Sequence, residues 1–202
     1  FSMGNDLQET GTHDQGPSLA ELCDAIENSS KPVVAAMHGA ALGGGLELAL
    51  AAHARIATGQ CALGLPEVKL GLSPSAGGTQ RLARLCGAEN ALKLLIWGSS
   101  TRANVAADWG IVDWVSNKDL WDEAQELALE CVQNPPQRTR DLVAGAADPA
   151  SFQKAVEIAR KSAVGPLAKV KESLCQLVEA AQILPFETGM RMEAATFATL
   201  KR

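Results

Sequence analysis

The stretch that most constrains this chain is Gly43-Gly44-Gly45-Leu46-Glu47, with Pro66-Glu67 twenty residues further on. An apolar run, Pro32-Val33-Val34-Ala35-Ala36-Met37, passes through His38-Gly39 into three glycines, and these open an Ala/Leu-rich segment carrying an acid. The pattern reads as strand, tight turn and helix start. Successive glycines at a helix N-terminus admit a ligand close to the backbone and leave N–H groups unpaired and pointing outward. Such a place favours negative charge. A carboxylate beside it suits proton transfer next to a developing oxyanion better than it suits simple anion binding. On its own a glycine triplet is more often a plain turn than an active site. The second acid alters the balance, because Leu63-Gly64-Leu65-Pro66-Glu67-Val68-Lys69-Leu70-Gly71 puts Glu67 directly after a proline in an apolar, glycine-bounded segment, and acids are seldom buried without a reason.

Composition narrows what kind of protein carries these acids. The chain has 202 residues, 47% hydrophobic and 20% charged, as in a soluble globular protein with a substantial interior. A net charge of −5 leaves no basic face for neutralising a nucleic-acid backbone, so nucleic acid is not an expected partner. Five cysteines, odd in number and without a C-x-x-C pair, read as reduced thiols of an intracellular, cytoplasmic protein with no zinc site. His13, His38 and His53 have no companion acids or cysteines at metal-ligand spacing. No apolar run approaches the length that crosses a bilayer, so no membrane partner is expected. A start at Phe1-Ser2, inside what reads as a motif, suggests that residues precede it in the full protein.

The run from Lys31 to Leu82, KPVVAAMHGAALGGGLELALAAHARIATGQCALGLPEVKLGLSPSAGGTQRL, resembles the signature core of the crotonase superfamily, specifically its enoyl-CoA hydratases. Phe1-Ser2-Met3-Gly4-Asn5-Asp6-Leu7 resembles a further element of that family, a loop supplying an oxyanion-hole N–H. The resemblance implies an α/β fold, a ClpP/crotonase-like spiral of ββα units followed by a C-terminal helical region. We expect the α/β core over residues 1–115 and the helical region over 116–202. It further implies Glu47 and Glu67 as the catalytic acids, Asn5 and Gly44 as oxyanion-hole donors, and Met3, Gly4, Leu7, Gly43 and Pro66 as contacts to the acyl-CoA substrate. Coenzyme A would be part of that substrate, and no separate cofactor is expected. Of the two donors, Gly44 is also placed by the sequence itself, whereas Asn5 rests on the resemblance. The implied reaction is addition of water to 2-enoyl-CoA thioesters in fatty-acid β-oxidation, with Δ3-Δ2-enoyl-CoA isomerisation as a second reaction of the same site. Another crotonase-type acyl-CoA reaction, or a catalytically silent acyl-CoA-binding subunit, stays open as an alternative. Ser73-Pro74-Ser75, where hydratases more often have proline-glycine, and Asn5, where a small residue is common, bear on substrate shape.

Along the rest of the chain, helices are expected over residues 17–28, 44–53, 87–97, 102–109, 120–132, 137–143, 151–162, 166–181 and 185–200, with strands over 54–57 and 111–115. Thr101 is the expected N-cap of the 102–109 helix. Ala76-Gly77-Gly78-Thr79-Gln80-Arg81-Leu82 reads as a second glycine-opened helix, for which ordinary helix entry is at least as good a reading as a role in the site. The segment from Ala180 to Leu200 resembles the helix joining the hydratase and dehydrogenase halves of bifunctional β-oxidation enzymes. No G-x-G-x-x-G follows a strand, so no dehydrogenase half lies in these residues. Single-function relatives imply a homotrimer or hexamer held through the C-terminal helices, while the bifunctional resemblance implies that those helices fold back on their own domain. The apolar faces of the C-terminal helices favour self-association.

Overall fold

A computed structural model describes residues 1–4 and 16–201. Two three-stranded sheets form its frame. In the first, β1 (Val34–Met37), β3 (Ala54–Thr58) and β6 (Trp114–Ser116) run parallel with β3 central. In the second, β2 (Ala40–Leu42) pairs in parallel with β4 (Ala62–Gly64), which pairs antiparallel with β5 (Ser100–Arg102). Each of the first two passes through both sheets ends in a helix. β1 and β2 lead to α2 (Gly44–Ala51), and β3 and β4 lead through a short 3₁₀ turn, Pro66–Leu70, to α3 (Gly78–Trp97). These are the ββα units expected. The sheet change inside each unit is sharp, and at Gly39 it uses a φ of +65°, which an L side chain rarely adopts.

Side-chain alternation gives the first sheet apolar side chains on both faces. Ala54 and Ile56 point toward Ala124, Leu127 and Cys131 of α5 (Leu120–Gln133). Ala35, Met37 and Ala57 point the other way, into the main core with Leu46 and Leu50 of α2 and Leu82, Leu94 and Leu95 of α3. The remaining helices are α1 (Leu19–Glu27), α4 (Ala103–Asp108), α6 (Pro149–Lys161), α7 (Ala168–Ile183) and α8 (Phe186–Leu200). The last three pack against α3. Ser18 and Glu21 form a reciprocal capping box at the start of α1, which explains why that helix begins after Pro17.

Two local expectations need correcting. Residues 99–102 do not begin a helix, since Ser100–Arg102 is strand β5 and Thr101 pairs with Leu63 in it; Arg102 takes the N-cap position. Only Thr139–Asp141 of the 137–143 segment is helical, as one 3₁₀ turn, because Pro135-Pro136 holds the chain extended before it and Leu142 returns to extended backbone. The glycine-opened helix near 76–82 and the helix from Gly87 are, as expected, two helical arms; both lie within α3 and are separated by non-helical backbone at Gly87, with φ 72°.

A buried ion pair fastens α1 to α3. Arg81, fully buried, lies 2.7 Å from Glu27, itself 1% exposed. Glu27 also accepts the backbone N–H of Arg140 from the Thr139–Asp141 turn. The guanidinium groups of Arg81, Arg84 and Arg140 all lie over the Phe186 ring at the start of α8, the closest at 4.7 Å. Removing one partner of such a pair strands a buried charge. Glu27→Ala should therefore lower unfolding stability by about 3–5 kcal/mol. Urea titration checks this, and a loss below about 1 kcal/mol, the range of exposed pairs, would contradict it.

Candidate active site

The two acids are brought together by strand pairing. Leu42 is in register with Gly64 at the ends of β2 and β4, and one residue on, the Gly43 N–H donates to the Gly64 carbonyl at 3.0 Å. The β2 chain then turns into α2, and the β4 chain continues through Leu65 into the turn that bears Glu67. Gly43 has φ +53°, and a Cβ built there would stand 3.2 Å from Glu67 Oε1. Glycine is thus required twice over, by the left-handed backbone and by the carboxylate lying against it. Gly44, the first residue of α2, has no intrahelical acceptor for its N–H.

Residues 1–4 lie across this corner. The Ser2 N–H donates to the Ala40 carbonyl at 3.0 Å and the Leu42 N–H donates to the Ser2 carbonyl at 2.9 Å, so the segment extends the second sheet beside β2. Gly4 is close enough to α2 that an added Cβ would stand 3.2 Å from the Gly44 nitrogen. Met3 is largely exposed and Pro66 is half-buried next to Glu67. Asn5 and Leu7, expected as a donor and a substrate contact, lie outside the described residues. Of the remaining expected residues, Gly4, Gly43, Gly44, Pro66 and Glu67 meet at one corner, and Glu47 faces inward one helical turn along α2.

Glu47 is 2% exposed. Its Oε1 accepts the backbone N–H groups of Ala76 and Gly78, each at 2.8 Å, at the entry of α3. Burial, reinforced by the neighbouring carboxylates of Glu193 and Glu67, pushes its carboxyl up to about 8. Burial likewise pushes Glu67 up to about 7, with a further upward push from Glu193. Glu67 Oε2 is buried without a hydrogen-bond partner. Acids that interact this closely titrate as a set, and here burial and hydrogen bonding pull in opposite directions, since Glu47 is raised the further of the two despite its donors. Two N–H donors favour the ionised form at Glu47, and an oxygen without any donor favours the protonated form at Glu67. No group of three or more His, Cys, Asp or Glu side chains able to hold a metal occurs among the described residues.

Sequence reasoning missed Glu193 on α8. It is fully buried, its Oε1 accepts the Gly77 N–H at 2.6 Å, and its Oε2 accepts the Thr79 N–H at 2.8 Å and a short contact from the Thr79 hydroxyl. The 76–79 segment is therefore more than a helix entry, since all four of its N–H groups end on carboxylates. A signal was available, because Phe186, Gly189 and Glu193 fall at helical spacing on the face of α8 that is buried, and an acid on an apolar stripe calls for a partner.

Comparison with known proteins identifies the family. The family model described as "Enoyl-CoA hydratase/isomerase" matches residues 1–186. The chain belongs to that family. A zebrafish (Danio rerio) protein named peroxisomal bifunctional enzyme is 42% identical over 204 aligned residues, covering 99% of this chain and 28% of that protein. A Bacillus subtilis protein named probable enoyl-CoA hydratase is 41% identical over 153 residues, covering 71% of this chain and 59% of the relative. Among solved structures, an enoyl-CoA hydratase subunit I from Geobacillus kaustophilus aligns over all of this chain and 68% of its own, at 31% identity and a TM-score of 0.59. The chain thus spans under a third of the bifunctional relative that it matches along its whole length.

The raised carboxyls set a direction for pH dependence. A carboxyl whose folded value lies above its ordinary 4.5 stabilises the fold fully below that value, and the contribution is lost as pH rises through the folded one. Stability should fall between about pH 5 and about pH 8, and Glu67→Gln, neutral throughout, should fall less steeply up to about pH 7. Thermal midpoints measured at each pH test this, and a variant as steep as the wild type would refute it.

Proposed function

We propose that this chain adds water across the 2,3 double bond of 2-enoyl-CoA thioesters, within fatty-acid oxidation. The observation that carries the reading is the pairing of two differently supported acids beside a helix-start amide: Glu47, its Oε1 fixed by two N–H donors, and Glu67, its Oε1 against Gly43 and its Oε2 buried without a partner. The names of the relatives support the substrate class. In this reading the thioester oxygen sits at the Gly44 N–H, with Asn5 N–H as the second donor, where electron density collects as water attacks C3. Glu47 holds the water and takes its proton as the C3–O bond forms. Glu67 gives its proton to C2, completing addition of one water, and a proton passing from Glu47 to Glu67 resets the site. Met3, Gly4, Gly43 and Pro66 line the approach of the acyl-CoA, with Leu7 a further contact that the family resemblance implies, and the pantetheine and nucleotide supply the remote binding energy that orients the carbonyl.

Isomerisation of a 3-enoyl-CoA is a second reading of the same corner, since moving a proton from C2 to C4 needs the oxyanion donors and one shuttle but no attacking water. Glu67, placed beside C2, is that shuttle. The helices α7 and α8 pack on this chain's own α3, which favours the fold-back arrangement of the bifunctional resemblance over a trimer or hexamer built through them. A thiol-reducing compartment suits the five free cysteines; the sequence reading put the chain in the cytoplasm, whereas the vertebrate relatives carry a peroxisomal name.

Loss of enoyl-thioester absorbance on mixing with crotonyl-CoA tests the reading directly, and binding without turnover would instead support a silent acyl-CoA-binding subunit. Glu47→Gln and Glu67→Gln should each depress hydration by about 10²–10⁴, as for loss of a general acid or base. Glu67→Gln should also abolish isomerisation, while Glu47→Gln leaves it measurable. Full hydratase turnover in Glu67→Gln would break the assignment.

A further inference from the structure

Glu193 is a fully buried acid that the proposed reaction does not use, and its position is unusual. Four consecutive N–H groups, from Ala76 to Thr79, are divided alternately between two carboxylates. Ala76 and Gly78 donate to Glu47, and Gly77 and Thr79 donate to Glu193. The two acids thus hold one short stretch of backbone from opposite sides. Fixing the Gly77 and Thr79 amides leaves the two amides between and beside them little freedom to turn, and those are the ones that hold Glu47 Oε1.

The surroundings make the grip specific. Gly189 of α8 lies so close to Gln80 that a Cβ there would overlap its side-chain oxygen, and Gln80 Nε2 in turn donates to the Leu177 carbonyl of α7 at 2.9 Å. A Cβ at Gly77 would meet Met190 of α8 and the Arg81 guanidinium. Arg81 supplies a positive charge near Glu193 from α3, and the first turn of that helix favours anions at its N-terminus. Two carboxylates crowded there still repel each other, and a simple helix cap needs only one. Holding the second against that repulsion places a constraint on the turn that the helix alone does not require.

We infer that Glu193 is a positioning residue for Glu47: from α8 it fixes the 76–79 turn so that the Ala76 and Gly78 amides orient the Glu47 carboxylate toward the water. The inference rests on the hydratase reading, in which Glu47 is the water-activating acid. In this role Glu193 acts through the turn it holds and not on the reacting atoms. Its removal acts through geometry, and displacement of a reacting group by about 1 Å can lower turnover about 10²-fold.

The test is Glu193→Gln. Glutamine can accept through one oxygen only, so at least one of the Gly77 and Thr79 amides loses its acceptor. Turnover of crotonyl-CoA should drop about 10- to 100-fold with KM within about twofold, because the substrate contacts are untouched. Amide hydrogen exchange across residues 76–79 should quicken while the β1–β3 amides keep their protection. Thr79→Val, which deletes the hydroxyl contact to Glu193 and the hydrogen bond that the hydroxyl accepts from Gln80 Nε2 but keeps the Thr79 amide bond, should move both readouts in the same direction by less and serves if the glutamine variant does not fold. Glu187→Ala removes a surface ion pair of α8 with Arg140 and leaves the turn alone, so it should retain wild-type kcat. Wild-type protein without crotonyl-CoA turnover would overturn the hydratase reading, while the exchange measurement would still decide whether Glu193 holds the turn. Unchanged exchange and kcat in Glu193→Gln, or an equal fall of kcat in Glu187→Ala, would overturn the positioning role.

Discussion

One backbone hydrogen bond, from the Gly43 N–H to the Gly64 carbonyl, governs the geometry of the candidate site. It extends the β2–β4 register by one residue past the sheet and so ties the start of α2 to the chain that becomes the Glu67 turn. A shift of one residue in that register would move both acids off the corner, since strand side chains alternate faces. The bond also explains the glycines. Gly43 has to turn left-handed with a carboxylate lying against it, and Gly45 packs so tightly on Ser2 that a Cβ would fall 2.5 Å from its carbonyl oxygen. Backbone approach of this kind lets residues 1–4 cover the helix start closely.

Much of this was readable from residue order because local chemistry fixed it. The apolar run to Met37, the left-handed glycines and the prolines 135, 149, 166 and 185 mark element ends by backbone sterics, which need no tertiary partner. The pairing of Glu47 with Glu67 was legible because both acids sit in apolar segments and because the spacing resembles a known family. Strands β2, β4 and β5 are three residues each, too short for periodicity to register, and β5 exists only because β4 offers an edge to Ser100–Arg102. The reading of Thr101 as a helix cap failed for that reason. Nothing local distinguishes a capping threonine from one in a short strand until the partner strand is known.

Glu193 lay beyond that reach for a different reason. Its partners are more than a hundred positions away, with contacts at sequence separations of 116 and 114. A helix stripe shows that an acid is buried, and it does not show what the acid faces. The same holds for Phe186, whose ring is a platform for three guanidinium groups drawn from α3 and the Thr139–Asp141 turn. Contacts of this length are set by topology, and the pattern of one segment carries no record of them.

That length has a bearing on how the protein is made. A chain leaving the ribosome from its N-terminus completes β1 to β4, the Glu67 turn and the entry of α3 well before α8 has been synthesised. At about 5–20 residues per second, the 116 positions between Gly77 and Glu193 represent roughly 6 to 23 seconds of translation. Throughout that interval the Gly77 and Thr79 amides have no Glu193 to accept from them, and the surface that α8 will cover stays open to water or to a chaperone. The site therefore matures backward along the chain: the earlier-made segment carries both acids, and α8, made later, finishes the turn that holds one of them.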